Sequence, residues 1–443
     1  MILSFFWVCP FIGMLMSIAI LPMLMPRLWH KHYGKVCIFW ALCFLLPWIR
    51  YFGMEKAVHD SLHVLFFDYI PFTSIIAALF AITGGIHLKT QWLGTPRGNT
   101  AILAFGALLA SWIGTTGASM LLIHPVIKAN SWRHYNAHVK IFFIFLIANI
   151  GGALTPLGDP PLFIGFINGV DFFWTTKNLM LPLVTVILPL LCAFYGIDSY
   201  YHRKEAINAP IIDKSMTRFS VEGRHNFIYL AALLAIVLLS GCLKFDQKIH
   251  VAGLDIPLLN IIRDFSMWIL CWLSFATTSK KNREKNSFSW EPFLEVAKIF
   301  LAIFLTAIPV IMILEAGDQG ALAPLVRMVS TENGSPIPYL YFWVTGILSA
   351  FLDNAPTYLV YFHTAGGEAA QLMGENSKTL MAISSGAVFM GALTYIGNAP
   401  NFMVKAIAEK KGVKMPGFFG YMLWSTVFLI PLFILLTFLY YIG

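Results

Sequence analysis

Charged residues are scarce in this sequence: Asp, Glu, Lys and Arg make up 12% of its 443 residues, whereas apolar residues make up 58%. A soluble domain carries about a quarter charged residues. Long apolar runs also recur from one end of the chain to the other. The scarcity of charge therefore excludes a soluble domain with a single anchor and predicts an all-α polytopic membrane protein.

Common catalytic signatures are absent as well. The sequence contains no GxxxxGK[ST], GxSxG or HExxH motif, and its six cysteines form no CxxC pair. These gaps argue against nucleotide-hydrolysing, serine-hydrolase and zinc-protease sites, so we expect neither enzymatic activity nor a cofactor. The first apolar run also lacks a preceding basic residue and a small-residue cleavage site, which favours a membrane span over a removable signal.

Apolar runs of membrane-spanning length are frequent. A helix needs about 20 predominantly apolar residues to cross the hydrocarbon core. By this criterion we predict ten transmembrane helices, with approximate bounds 2–25, 36–54, 66–88, 138–168, 172–200, 227–244, 258–278, 293–315, 379–406 and 416–441.

Two further apolar stretches, 100–128 and 338–364, are interrupted near their middle by polar residues, WIGTTGAS in the first and FLDNAPT in the second. Each half-stretch has about a dozen residues, or about 18 Å of helix, which is too short to cross the hydrocarbon core. The pattern therefore predicts two re-entrant helical hairpins, each of which enters and leaves the membrane on one side.

Basic residues between the apolar runs indicate the sidedness of the loops. Cytoplasmic loops carry an excess of Lys and Arg, and the basic loops share one face only if both interrupted stretches are re-entrant. Both termini are then outside, in the plasma (bacterial inner) membrane. The net charge of +8 comes mostly from these loop residues, which set the topology. We therefore expect the lipid bilayer, and no nucleic acid, as a partner. The basic loop residues are Arg27, Lys31, Lys35, Lys89, Arg97, Lys128, Arg133, Lys140, Arg203, Lys204, Lys214, Arg218, Arg224, Lys280, Lys281, Arg283, Lys285, Lys405, Lys410, Lys411 and Lys414.

The same topology makes the two hairpins enter from opposite faces of the membrane. We therefore predict two inverted-topology repeats: residues 1–200 with the hairpin 100–128, and residues 227–443 with the hairpin 338–364. A cytoplasmic linker, residues 201–226, joins them.

Sequence similarity between the halves supports the repeat independently. The segment GALTPLGDPPLF (152–163) has a near copy, GALTYIGNAPNF (391–402). The hairpin tips TTGASMLL (115–122) and DNAPTYLV (353–360) occupy matching positions. Corresponding interrupted segments in inverted halves indicate the binding site of a secondary transporter.

Proline and glycine break the two duplicated segments at membrane depth, because proline lacks an N–H group and glycine permits tight turns. The residues that open the breaks are Pro156, Gly158, Pro160, Pro161, Gly397 and Pro400. Backbone outside a helix is tolerated there only in a protein-lined or wet cavity, where freed carbonyl groups can replace the water shell of a cation. Further candidate ligands are the side chains of Thr115, Thr116, Ser119, Thr155, Asn354, Thr357, Thr394, Asn398 and Asn401.

Two aspartates lie among these polar turns: Asp159 in the first break and Asp353 at the second hairpin tip. A carboxylate inside a membrane costs about 2.5–3.5 kcal/mol and normally has a function. Since no basic residue lies within the four turns, we expect the pair to disfavour an anionic substrate and to bind Na⁺ or Li⁺ with Asn354 and Asn398. Two close carboxylates also hold a proton readily. The simpler alternative, that each aspartate only caps the following helix, stays open.

The hairpin tips and paired breaks resemble those of the ion transporter superfamily, which includes arsenite, citrate/dicarboxylate and NhaD-type sodium/proton transporters. The segments ANIGGALTPLGDPPLFIGFINGVDFFW (148–174) and SAFLDNAPTYLVYF (349–362) are most similar to its sodium/proton antiporter-like, citrate-transporter branch. The resemblance covers about 66–200 and 290–440. It implies a homodimer in which a mobile transport domain moves past a scaffold domain as an elevator.

The chain departs from the dicarboxylate branch at its hairpin tips. That branch uses Ser-Asn-Thr, whereas this chain has Thr-Thr-Gly and Asp-Asn-Ala. We therefore expect a Na⁺(Li⁺)/H⁺ antiporter in which cation and protons compete for two aspartates. A cation-coupled transporter of citrate, dicarboxylate or another anion is the alternative.

Overall fold

Helices form nearly all of the first half of the chain. The computed structural model describes residues 3–89, 94–205, 220–243, 245, 247–286 and 288–442. Among the described residues before 206 there are nine α-helices: Cys9–Leu24 (α1), Pro26–Phe52 (α2), Met54–Val64 (α3), Ile70–Gly84 (α4), Pro96–Ile113 (α5), Thr115–Ala129 (α6), Ala137–Leu146 (α7), Pro160–Ile167 (α8) and Trp174–Glu205 (α9).

The second half is helical too, with two short strand pairs in the molecule. The helices are Asn226–Cys242 (α10), Leu258–Thr277 (α11), Lys280–Lys285 (α12), Glu291–Glu315 (α13), Ala323–Met328 (α14), Pro338–Leu352 (α15), Asn354–Thr364 (α16), Ala369–Met373 (α17), Ser377–Met390 (α18), Ala399–Lys410 (α19) and Phe418–Leu436 (α20). The strands are His87–Lys89 (β1), Ser220–Glu222 (β2), Lys248–Val251 (β3) and Leu254–Pro257 (β4). Strand β1 pairs with β2, and β3 with β4, both antiparallel.

Eight helical segments of the described chain are long and apolar enough to cross a membrane. This confirms the prediction of a mostly helical, polytopic membrane protein. Two predicted boundaries are wrong. Helix α2 begins at Pro26, so the basic residues before residue 36 lie in its first turns. Helix α3 begins at Met54, twelve residues before the predicted 66, because the polar segment 54–64 is rich in residues of good helix propensity.

Part of the predicted linker, residues 206–219 with Lys214 and Arg218, lies outside the described residues. The rest of the linker, residues 201–205 and 220–226, includes the end of α9, strand β2 and the start of α10. Since β2 pairs with β1, the segment after α4 and the segment before α10 lie at the same end of the molecule.

The two interrupted stretches fold as helix pairs, α5 with α6 and α15 with α16. The N–H of Gly94, before α5, donates to the carbonyl oxygen of Ala129, at the end of α6 (2.8 Å), so the outer ends of the first pair meet. At the tips, Gly114 has φ 82° and ψ 147°, and Asp353 has φ 79° and ψ 144°. The tips are thus equivalent in conformation, with Gly114 matching Asp353. The predicted alignment, which matched Thr115 with Asp353, is wrong by one residue.

The helices form two packing groups. One group contains α1 to α4, α10, α11 and α13, and the other contains α5 to α9, α15, α16 and α18 to α20. Helices α4 and α13 of the first group contact α6, α8 and α16 of the second. The two helix pairs and the two breaks therefore belong to one group and face α4 and α13 of the other.

A buried ionic cluster joins the base of the first helix pair to α9. Arg133 Nη1 lies 2.5 Å from Asp198 Oδ1, and both side chains are fully buried. His138 Nε2 (2.8 Å) and Asn99 Nδ2 (2.9 Å) also contact the Asp198 carboxylate. Asn99 and Asn130 exchange two amide hydrogen bonds of 2.9 Å across the helix pair. Buried charges are tolerated when they are paired and hydrogen-bonded in this way.

The two breaks have the same local structure. A short 3₁₀ segment, Ile150–Leu154 in the first and Gly391–Leu393 in the second, leads into an extended threonine. Thr155 has φ −139° and ψ 160°, and Thr394 has φ −132° and ψ 167°. The chain then returns so closely that Gly158 lies against Gly152, as Gly397 does against Gly391.

Substitution of Gly158 tests this close return. A Cβ at Gly158 would overlap the carbonyl oxygen of Gly152, so Gly158→Ala is expected to destabilise the detergent-solubilised protein by about 3 kcal/mol. Gly196→Ala is the matched control, since Gly196 lies in α9 with no atom within 4 Å of its added Cβ and alanine favours a helix. Equal melting temperatures of Gly158→Ala and the parent would show that the close return is not required.

Candidate functional site

Four short polar turns meet at the carboxylate of Asp159. Thr115, at the first helix-pair tip, donates its hydroxyl to Asp159 Oδ1 (2.9 Å). Asn398, in the second break, donates its amide to the same oxygen (3.1 Å). Asn354, at the second tip, donates its amide to Asp159 Oδ2. The structure thus brings together one residue from each tip and each break, two from either half of the chain.

Asp159 does not cap the helix that follows it. It occupies the position before α8, yet its side chain accepts no backbone N–H from α8. Pro160 and Pro161 fill the first two helical positions, and proline has no N–H to donate. The cap-only alternative is therefore wrong for Asp159, whose side chain is 2% exposed and is hydrogen-bonded by neutral side chains.

Asp353 has a different environment. Its Oδ1 accepts the N–H of Ala355 (3.3 Å), so it does cap α16. Thr357, another predicted site residue, donates its hydroxyl to the Asp353 carbonyl oxygen (2.8 Å). The backbone of Asp353 lies in a region that residues other than glycine rarely adopt. Such conformations cost about 1–3 kcal/mol and cluster at functional sites.

A cavity of about 130 Å³ connects the two aspartates. It is lined by Asp159, Asp353, Asn398 and the tip residues Thr115 and Thr116, together with apolar side chains of α4 and α13. A single water requires about 10–15 Å³ in this measure, so the cavity can hold a small cation with several waters. Among the described residues that line it, none is Lys, Arg or His.

A second cavity, of about 640 Å³, shares Asp353 and Asn398 with the first. It lies between the end of α1, the start of α2 and the start of α13, where Glu291 and Glu295 line it. The indole N–H of Trp29 donates to Glu295 Oε1 (2.8 Å). Asp353 is therefore approached from the end of the molecule where α2 and α13 begin.

The side chains of Thr155 and Thr394 form hydrogen bonds with the backbone. The Thr155 hydroxyl donates to the carbonyl oxygen of Ser111, and the Thr394 hydroxyl donates to that of Ala350. Neither threonine lines the cavity that holds the two aspartates. We assign them to fixing each break against its helix pair, which corrects the prediction that they supply ligands.

Two predicted ligands, Ser119 and Asn401, do not line the cavity that holds the two aspartates. Ser119 is fully buried on α6, and its hydroxyl has no hydrogen-bond partner among the described residues. Asn401, on α19, bonds to the first break, where Asn149 donates its amide to Asn401 Oδ1 (2.6 Å). The residues predicted to open the breaks lie in or beside them: Pro156, Gly158, Pro160, Pro161, Gly397 and Pro400.

Several freed carbonyl groups are occupied by side chains. The carbonyl oxygen of Leu154 accepts the hydroxyls of Thr175 (3.0 Å) and Thr176, both on α9. Its counterpart Leu393 accepts the hydroxyl of Ser425 on α20 (2.7 Å). These hydrogen bonds take up part of the accepting capacity of the two oxygens, and side-chain oxygens are the better candidates for cation ligands.

Sequence reasoning missed the hydroxyl residues that support the breaks. The group comprises Ser111, Thr175, Thr176, Tyr421 and Ser425. They lie about 20–45 positions from the groups they bind. Ser111 lies on α5 of the first helix pair, and the other four lie on α9 and α20, which were predicted as ordinary spans. For the four residues other than Ser111, their position on the last helix of each half, α9 and α20, is the one signal that could have indicated them.

Comparison with known proteins places the chain in a family. The family described as "Putative citrate transport" matches residues 1–441, which include both helix pairs and both breaks. Uncharacterized transporters of Mycobacterium bovis and Mycobacterium tuberculosis are each 24% identical to the chain over 353 residues, covering 76% of this chain and 76% of each relative. The predicted resemblance to the ion transporter superfamily is confirmed. This integral membrane protein belongs to the putative citrate transport family.

Proposed function

We propose that this protein is a secondary active transporter that exchanges Na⁺ or Li⁺ for protons. The observation that carries the proposal is the small cavity that contains Asp159 and Asp353. Among the described residues that line this cavity, none is Lys, Arg or His. Two carboxylates without a basic partner attract a cation and repel an anionic substrate.

The donors around Asp159 favour its ionised form. Thr115, Asn354 and Asn398 are neutral and each donates one hydrogen bond to the carboxylate, and such bonds stabilise the charged form. A cation entering the cavity then gains one carboxylate from Asp159 and a second from Asp353. We propose that Asn354 and Asn398 turn their amide oxygens toward the bound cation, and that Thr116 adds a hydroxyl.

Protons compete with the cation for the same pair. When the cation leaves, the two carboxylates share one cavity, and a shared proton relieves their repulsion. Binding of a cation expels that proton. Exchange follows from this competition if the loaded and unloaded sites are exposed alternately to the two sides of the membrane.

We propose that the chain has ten transmembrane helices and two re-entrant hairpins in two inverted repeats. The equal tip conformations at Gly114 and Asp353 and the strand pair β1–β2 support this arrangement. The N-terminal and C-terminal residues are then outside, and the linker is in the cytoplasm of a bacterial inner membrane.

Alternating access is proposed to follow an elevator mechanism. The group that contains both helix pairs and both breaks would move past α4 and α13, which belong to the other group. The group with the helix pairs and breaks would be the transport domain, and the group with α4 and α13 would be the scaffold of a homodimer. The buried Arg133–Asp198 cluster supports movement of the first helix pair together with α9 as one body.

Cation-coupled transport of citrate or a dicarboxylate is the second candidate. The family description favours it, and the donors around Asp159 are of the kind that binds a substrate carboxylate. Asp159 already occupies those donors, however, so a substrate carboxylate would have to displace it.

Everted membrane vesicles with a pH-sensitive dye test the proposal. After a proton gradient is formed, Na⁺ and Li⁺ are expected to release protons, whereas K⁺ and citrate are expected to have no effect. Vesicles from cells that lack the protein are the control. A citrate-dependent response without any Na⁺ or Li⁺ response would replace the antiporter with the carboxylate transporter.

A further inference from the structure

Asp68 is an additional carboxylate inside a membrane segment. It lies in the apolar segment Met54–Gly84, within a π-helical turn, Leu65–Tyr69, that separates α3 from α4. Single π turns inside α-helices occur frequently at functional sites. A carboxylate in such a segment is costly and is a functional residue by default.

The carboxylate of Asp68 has no partner in the described part of the chain: it forms neither an ion pair nor a hydrogen bond. Asp60, eight residues earlier, shows the contrast. Its carboxylate accepts hydrogen bonds from Trp48 Nε1 (3.1 Å) and Lys56 Nζ (2.9 Å). Asp60 is therefore satisfied by the protein, whereas half-buried Asp68 is available to a ligand.

An aromatic cluster separates Asp68 from the site cavity. Phe72, one helical turn after Asp68, lines that cavity and is fully buried. Its ring stacks on Phe300 of α13, with centroids 4.3 Å apart, and lies edge-on to Phe304 at 5.6 Å. From Phe72 the cavity follows α4 toward Phe80, so Asp68 lies beyond the Phe72 end of the cavity.

The π-helical turn also contacts the proposed transport domain. It packs against α13 and against α8, the helix that begins directly after Asp159. An ion that approaches the site between α8 and α13 from the Phe72 end therefore passes the π turn before it reaches Phe72.

We infer that Asp68 is a third ion-binding carboxylate, which receives a monovalent inorganic cation on the side of Phe72 opposite to the site cavity. In the proposed topology this is the external side. The inference rests on the proposed cation–proton exchange, and it gives the external route a binding residue that the internal route, with Glu291 and Glu295, does not share.

Asp68→Asn tests the inference through the sidedness of its effect. In vesicles of defined orientation, the variant is expected to raise the half-saturating external Na⁺ or Li⁺ concentration about tenfold or more, because a nearby charge is removed. The half-saturating internal concentration and the maximal rate are expected to match the parent. Asp60→Asn is the matched control and should leave both sides unchanged.

Each result of this experiment has one meaning. Equal half-saturating external concentrations in Asp68→Asn and the parent, or an equal change on both sides, overturn the role of Asp68. If Asp68→Asn does not accumulate in the membrane, Asp68→Ser, which also removes the carboxylate, is measured, and an external value equal to the parent's overturns the role. If the parent itself exchanges no cation, the proposed function fails first, and that failure is seen without any Asp68 variant.

Discussion

Asp159→Asn is expected to reduce cation–proton exchange at least about a hundredfold, because it removes the charge and at least one of the charge-assisted hydrogen bonds, each worth about 1.5–3 kcal/mol. Three donors converge on the Asp159 carboxylate: Thr115, Asn354 and Asn398. An asparagine has one acceptor oxygen, and its NH₂ group would oppose the amide of Asn354 or Asn398. Dye-based exchange in vesicles, normalised to the amount of protein, measures the loss.

Thr115→Val and Thr115→Ser provide a graded comparison for the same site. The valine keeps the shape of the side chain but leaves Asp159 with two donors, so exchange is expected to fall about tenfold. The serine keeps the hydroxyl and should remain close to the parent. Exchange by Asp159→Asn equal to that of the parent from mildly acid to mildly alkaline pH would remove Asp159 from the mechanism.

Asp353→Gly is expected to abolish exchange without loss of stability. The backbone of Asp353, at φ 79° and ψ 144°, is strained for any residue except glycine, so its replacement recovers about 1–3 kcal/mol. The lost cap to Ala355 (3.3 Å) offsets part of this gain. The melting temperature of the detergent-solubilised protein should therefore equal or exceed that of the parent, while exchange in vesicles falls to background.

The equivalent tip residue supplies the converse variant. Gly114 has the same conformation, and the nearest atom to an added Cβ is 3.4 Å away, so Gly114→Ala introduces backbone strain without a clash. We expect it to lower stability by about 1–3 kcal/mol. Asp353→Asn keeps the strain and removes the charge, so it should also lose exchange. Normal exchange by both Asp353 variants would show that the acid is not used.

The sequence was sufficient to predict the polar turns because each is marked locally. The prolines and glycines of the breaks and the interruptions WIGTTGAS and FLDNAPT stand out against apolar surroundings. Asp159 and Asp353 follow from the cost of a membrane carboxylate. Their convergence with Thr115 and Asn398 could be expected from the duplication of the two segments.

Features that depend on packing could not be read from the sequence. Asp159 is hydrogen-bonded by neutral side chains and does not cap its helix. Pro160 and Pro161 have no N–H groups to offer it, and two of its donors come from the other half of the chain. The pairing of Gly114 with Asp353 differs from the sequence alignment by one residue because conformation, and not residue type, is shared there. Asp68 was missed because it lies close to the predicted boundary of its span, where an acid is unremarkable.

The long sequence separation within the Asp159 cluster has a consequence for biosynthesis. Asn354 and Asn398 follow Asp159 by 195 and 239 residues, which a ribosome adds in about 10–50 s at 5–20 residues per second. During that interval the carboxylate has only Thr115 from its final set of donors. The first half therefore enters the membrane before its buried acid can be satisfied, so it must stay hydrated or shielded by the insertion machinery until the second half arrives.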